Sequence, residues 1–435
     1  MSDDRVAVAR LLHRLGFGPA GTQFERALEL GPAAVAGELM LAVSPASAAA
    51  DAAVTPPPQL PYLTLAGAGS RAAYEQARRD QERVLRLWWL DRMVTTAQPL
   101  LERTTWFWHG HWATSELKVR DARLMLRQNE TLRATAVGDF KEQARLMLMD
   151  PALLIWLDGK GNRKGQPNEN LGREFLELFS LGDGNYTETD VREASRALTG
   201  WTIDMAAGTS ALQPNRFDNG FKEILGTRAA YDAATLAYHV ASQPACARHI
   251  AGRWWRHCVS ADAASPAHLQ PLIDAFAPER NSGRLALAVA AVLQDTSIAL
   301  PLAKSPVDWL VGAMRVLDMR PTSLSRTLQN GLLTDLSAMG QHPFFPPNVS
   351  GWPTGRAWFT TTAAQARLKS TQRLVTKAPR WLATARRGSR SRVLADRLGI
   401  PAWSPPTAAA LADGAISAKD ALIIALNSPD YLVGV

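Results

Sequence analysis

The chain has 435 residues, 46% hydrophobic and 20% charged, with a formal net charge of +8. That balance describes a soluble globular protein with room for one large core or two to three ordinary ones, and it excludes a disordered chain. No stretch approaches the roughly 18 consecutive apolar residues that a membrane span needs. The first residues, MSDDRVAVARLLHRLGFG, run acidic and then amphipathic. Without a basic head, an apolar run and a small-residue cleavage site they do not read as a secretory signal, so the chain as it stands is expected in the cytoplasm.

The cysteines are Cys246 and Cys258, with no C-x-x-C pair, which argues against a cysteine zinc site or a disulfide scaffold. A single bridge between them stays open, and buried, inert thiols are the expectation. Ten Lys or Arg residues and one acid lie between Arg367 and Arg397. A solvated helical face is expected there, with docking of a polyanion as the alternative. No nucleic-acid motif accompanies the charge, and nucleic acid is not an expected partner.

Helical periodicity dominates along the chain. Ser2 is a plausible cap for a helix ending at Gly16, and a second helix runs from Thr22 to a stop at Gly31. From 43 to 62 the chain turns to Ala, Ser and Pro, the composition of a linker or exposed loop. Helices follow at about 70–96, 98–110, 117–136, 139–149, 169–181 and 188–200. The TETD stretch reads as a capping box, with Thr187 as cap and Asp190 in place of the usual Glu. Periodicity lapses from 201 to about 230, where loops and a short hairpin are expected. It resumes at about 231–242, 244–259, 266–276, 283–295, 306–318 and 322–339. Pro343, Pro346, Pro347 and Pro353 exclude a helix over 343–358. Two or three helices close the chain. The fold class is therefore all-α. The expected division is N-terminal helices (1–42), a Pro/Ala-rich linker or loop (43–66), a main helical domain (67–365) and a basic C-terminal helical segment packed on it (366–435).

Three constellations carry chemistry. TTWFWHGHWATS (104–115) places His109 and His111 among aromatics. Residues two apart on a helix point about 200° from each other, so both reach one metal only if the backbone breaks, which Gly110 permits. The alternative is one histidine hydrogen-bonded in a core and the other exposed. In the 168–201 stretch, Asn170, Glu174 and Glu177 fall within about 60° on one helix face beside an apolar stripe. Carboxylates there need cations or a metal. Either Arg173, Arg192 and Arg196 supply a salt-bridge network, or Glu174 and Glu177 complete a site with His109 and His111 suited to zinc, iron or manganese. The third piece, FFPPNVSGWPTGRAW, is a rigid loop of the kind that lines pockets. Its Asn348, Trp352, Arg356 and Trp358 suit a sugar by stacking and hydrogen bonding, with packing on the helices as the alternative.

These blocks, together with LLHRLGFGP, PACARHIAGRWWRHCVS and KSPVDWLVGAMRVL, resemble the bacterial "domain of unknown function 1800" proteins over nearly the whole chain. The resemblance implies a helical fold and frequent association with an exported partner family, "domain of unknown function 1501", whose members look like alkaline phosphatases and sulfatases. Many relatives look exported. It implies no established reaction. One departure stands out: relatives usually carry a His-Asp pair after the Gly-Trp block, and here Phe217 stands where that His would be, while Asp218, Gly220 and Lys222 remain.

Two functions follow as expectations. The first is a metal-dependent enzyme on His109, His111, Glu174 and Glu177, with Glu193 or Asp190 as base and Arg173 and Lys222 holding an anionic group, Asn170 assisting. The second is a non-catalytic binding or accessory protein that grips a glycan or a protein partner with the Trp/Pro loop and the basic segment. Haem is a minor third, with His109 as axial ligand and no attachment motif.

Overall fold

The computed structural model describes residues 3–41, 54–376 and 379–433. Helix makes up 64% and strand 4%, so the protein is all-α. The expected cap at Ser2 and the first half of the Ala/Pro-rich stretch lie outside the described residues.

The N-terminal helices are Asp3–Arg14, Gln23–Leu30 and Pro32–Leu41. Gly31 ends the second with φ 82°, a conformation that glycine adopts without strain. The long helix Arg71–Thr95 starts at Ser70, whose side chain accepts the Ala73 amide. Pro99–His111 follows, with Pro99 pre-set for a first helical turn. The helix expected over 117–136 is two, Glu116–Val119 and Ala122–Thr135. Arg120 takes φ 54°, and Asp121 caps the next helix through the Arg123 amide. Phe140–Leu148 and Pro151–Trp156 come next, the latter not anticipated from periodicity over so short a span.

Glu169–Leu176 continues through a wide π-type turn, Glu177–Leu181, and packs on Glu188–Ala197. The Thr187–Asp190 capping box is formed as the sequence indicates. Two antiparallel hairpins follow instead of one. The first pairs β1 (Trp201–Asp204) with β2 (Thr209–Leu212), and the second pairs β3 (Lys222–Ile224) with β4 (Thr227–Ala229). Then come Ala233–Ala241, Pro244–Trp254 with a π-type extension to Val259, Pro266–Phe276, Ser282–Gln294, Pro306–Leu317 and Arg326–Ala338. The 343–358 loop is non-helical apart from one tight turn at Gly355–Trp358. The end of the chain is more divided than expected, with Thr361–Leu374 and five shorter helices between 380 and 432. Pro405 and Pro429, each directly after a serine cap, restart the helix there.

Two apolar cores cut across this linear order. One gathers Val8, Leu11, Trp108, Phe140, Phe175, Ile250 and Val289; the other gathers Trp88, Trp89, Trp106, Leu310, Leu336 and Leu422. The helix Pro99–His111 feeds both, so it forms the wall between them. A buried carboxylate fixes that wall. Glu102, 1% exposed, accepts from Arg92 Nε at 2.5 Å, Arg133 Nε at 2.6 Å and Trp89 Nε1 at 3.1 Å. The two guanidinium groups outweigh desolvation and hold its pKa at about 2. Cys246 and Cys258 are buried free thiols, and among the described residues no helix is long and apolar enough to cross a membrane.

Candidate functional site

The helix Pro99–His111 is unbroken at Gly110, so His109 and His111 leave it on opposite sides. His109 sits among Trp89, Trp106, Phe344 and Trp352, and its Nε2 accepts the Phe344 amide at 3.1 Å. Burial depresses its pKa to about 3. His111 packs on Phe107, Trp108 and Phe179 and donates its Nε2–H to the Phe179 carbonyl at 3.0 Å. Burial, with Arg253 nearby, keeps it neutral as well. Both are core histidines. The lone pair that a metal or haem iron would take from His109 Nε2 already holds a backbone amide.

The acidic partners proposed for them are not brought to that point. Glu177 accepts the Tyr186 hydroxyl at 2.6 Å. Glu174 is half-buried, and desolvation followed by the neighbouring Glu177 raises its pKa. Among the described residues no group of three or more His, Cys, Asp or Glu side chains is arranged to hold a metal ion. The His109, His111, Glu174 and Glu177 donor set therefore does not fit a resident zinc, iron or manganese, and no chemistry is derived through one.

The remaining candidates, on that stretch and at Lys222, are engaged within the fold. Asp190 closes its capping box and also accepts the Leu225 amide at 2.6 Å, tying the helix to the β3–β4 turn. Glu193 pairs with Arg196 at 2.7 Å, and Arg196 also holds Asp218 at 2.9 Å. Arg173 is engaged at the surface by Glu188 at 2.7 Å. Asn170 is exposed and donates to the Leu157 carbonyl at 3.4 Å. Lys222 is buried and gives its donors to the Asp218, Gly220 and Tyr231 carbonyls. Phe217 places its ring 5.1 Å from Lys222 Nζ, so the departure from the family pattern sits in a structural staple.

The Trp/Pro loop and the helix of the His-x-His block do converge. Trp352 stacks on Trp106 with centroids 5.1 Å apart. The backbone comes so close here that a Cβ on Gly351 would lie 2.5 Å from the Gly110 carbonyl oxygen, and Gly351 has φ 87°. Beside this junction is a cleft of about 250 Å³. No residue of 168–201 lines it. Trp352 and Trp358 do; Asn348 and Arg356 do not. Asn348 instead turns its own loop by accepting the Ser350 amide at 2.9 Å.

The charged residues of the cleft wall were not singled out from the sequence. Arg103, Trp106, Phe107 and Gly110 recur at i, i+3, i+4 and i+7 on one helix, and Arg253, Arg256 and His257 at i, i+3 and i+4 on another. His13 and Arg14 enter from the first helix, and Lys304, Ser305 and Asp308 from the start of Pro306–Leu317. Among the described residues, Arg103, Arg253, Arg256 and Lys304 thus face one carboxylate of the cleft, Asp308. Asp308 is bound by Arg103, and the Arg103 guanidinium also reaches the His257 carbonyl at 3.5 Å. Among the described residues Arg253 donates to the Gly110 carbonyl, at 3.4 Å, and no carboxylate pairs with Arg253, Arg256 or Lys304. Burial lowers the pKa of Arg253 to about 10, with Arg256 adding to it, and burial lowers that of Arg256. His257 is kept neutral by burial and by Arg103. The signal that could have found this wall is the repeated spacing of cations on helix faces within the LLHRLGFGP, RWWRHCVS and KSPVD blocks.

Fold and site together define a helical protein with a cationic, tryptophan-edged cleft. A family model described as "Protein of unknown function (DUF1800)" matches residues 10–433. The chain belongs to that family. No curated protein and no solved structure matches it.

Proposed function

We propose that this protein binds a small anionic ligand, carrying an oxyanion such as phosphate, sulfate or carboxylate, in the cleft between Arg253, Arg256, Lys304 and Trp352. One observation carries the reading: Arg103, Arg253, Arg256 and Lys304, from three separate segments, converge on one small cleft where, among the described residues, Asp308 is the one carboxylate and is already bound by Arg103. Each close pair of like charges costs roughly 1–4 kcal/mol at effective dielectrics between water and a protein surface, and an anion in the cleft offsets that cost. Arginine forks match the oxygens of such groups in pairs. Trp352 and Trp358 add apolar edges, which suits a ligand with a flat or sugar-like body beyond its acid group. This is the binding-protein reading of the sequence, with the grip moved from the surface segment to the cleft.

Calorimetric titration of the full chain with inorganic phosphate, sulfate and glucuronate tests it. The expected result is one saturable site per chain, weakened by added salt. Arg253→Gln should weaken it by about 10–100-fold, the worth of a hydrogen bond to a charged group. Absence of saturable binding by all three anions, or binding unchanged in Arg253→Gln and Arg256→Gln, would retire the proposal.

A further inference from the structure

Two buried lysines are satisfied very differently, although each ammonium has three N–H donors. Lys222 places its three on the Asp218, Gly220 and Tyr231 carbonyls at 2.6, 2.9 and 2.9 Å. Lys304, on the cleft wall and 9% exposed, has one carbonyl acceptor, Tyr431, at 2.6 Å. The Tyr431 ring lies beneath its Nζ at 4.4 Å. The acid that lines the same cleft, Asp308, is held by Arg103. Among the described residues an ammonium so placed has one fixed acceptor and no carboxylate of its own, whereas a neutral amine keeps the Tyr431 bond and retains a lone pair. Burial, with Arg14 beside it, works in the same direction and brings its pKa down to about 7.

Resting on the anion-binding reading of the cleft, we propose that the Lys304 amine is a nucleophile toward small carbonyl compounds whose acid group the cleft arginines hold, such as 2-oxo acids. The Nζ lone pair attacks the carbonyl carbon and a C–N bond forms. The carbonyl oxygen takes up the two amine protons and leaves as water, so the C–O double bond is replaced by C=N with no oxidant or reductant. Desolvated lysines beside other cations are the setting in which this chemistry runs near neutral pH.

Trapping tests it on the native chain. The protein is incubated with glyoxylate and cyanoborohydride near neutral pH, which reduces any imine to a stable secondary amine, and the labelled site is mapped by peptide mass spectrometry. The expected result is one adduct per chain, on Lys304, formed at least about tenfold faster than on any exposed lysine, because each unit of lowered pKa raises the amine fraction about tenfold. Inorganic phosphate should suppress it. Lys304→Arg, which loses the nucleophile, should abolish the adduct while circular dichroism shows the fold kept. Labelling confined to exposed lysines while phosphate still binds would overturn the Lys304 proposal and leave the anion site standing. A Lys304 adduct indifferent to phosphate would overturn the link between nucleophile and cleft. Failure of phosphate to bind at all would remove the reading on which both rest.

Discussion

Arg103 and Asp308 form a buried ion pair, and that pair takes the one carboxylate that the described residues bring to the cleft away from Arg253, Arg256 and Lys304. Replacing Asp308 by Asn should have two opposed effects. Stability should fall by about 3–5 kcal/mol, because a buried guanidinium loses its partner. Anion affinity should rise several-fold, because the cleft gains a guanidinium that no carboxylate holds. Denaturant unfolding with and without phosphate separates them: phosphate should stabilise Asp308→Asn more than the wild type. Equal or smaller stabilisation would mean that Arg103 does not contribute to the site.

Gly351→Ala probes the junction that shapes the cleft without touching a charge. The added Cβ would lie 2.5 Å from the Gly110 carbonyl, at a φ of 87°. Strain of about 1–3 kcal/mol is expected. The loop must shift away from the helix and carry Trp352 with it. Unfolding should show the loss, and anion affinity should drop although every cation remains. Unchanged stability would contradict the close approach.

Glu102→Gln tests the wall between the two cores. The amide keeps the shape but leaves Arg133 without its buried counter-charge, and a cost of about 3–5 kcal/mol is expected. The wild-type carboxylate, with a folded pKa of about 2, contributes stability that is present above its unfolded pKa and lost only as pH falls toward 2. A variant with wild-type unfolding free energy at neutral pH would show the network to be energetically idle.

His109 supplies a prediction of the same sign in a window at higher pH. Its folded pKa of about 3 lies below the unfolded value of 6.5, so between those values the unfolded chain binds more protons. Stability is then lost as pH falls below 6.5, by roughly 1.4 kcal/mol per unit of pKa difference at full titration. His109→Gln, which can still accept the Phe344 amide, should flatten the pH dependence of unfolding between pH 6.5 and 3. An unchanged slope would mean that other groups carry the acid sensitivity.

Much of this fold is legible in local pattern, because helix caps and apolar spacing act within a few residues. The Thr187–Asp190 box and the stop at Gly31 are examples. Boundaries that depend on one left-handed residue, such as Arg120, are not marked by composition. The candidate site was legible only in part. Trp352 and Trp358, which line the cleft, drew attention because a proline-rich loop advertises itself. His109 and His111 drew attention by residue type, but the helix continues through Gly110 and turns them apart. Asp190 and Lys222 looked reactive for the same reason. Their partners, the Leu225 amide and three carbonyls, come from neighbouring turns that the sequence does not align. The arginines of the cleft were hidden because they converge only in three dimensions, from segments as distant as Arg14 and Arg256.

Asp190→Ala separates the structural role from the catalytic one first read from the sequence. Loss of the cap and of the Leu225 tether should cost about 1–2 kcal/mol, while phosphate binding to the folded protein stays as in the wild type. Loss of binding without loss of stability would place Asp190 in the site after all.

The most direct measurement locates the anion. Crystals of the full chain grown with tungstate, a heavy tetrahedral oxyanion, would give an anomalous signal at the tungsten edge wherever it is held. The account predicts the strongest peak in the cleft, within contact of Arg253 or Arg256 and bordered by Trp352. Peaks confined to the basic surface between Arg380 and Arg397, with none in the cleft, would contradict it.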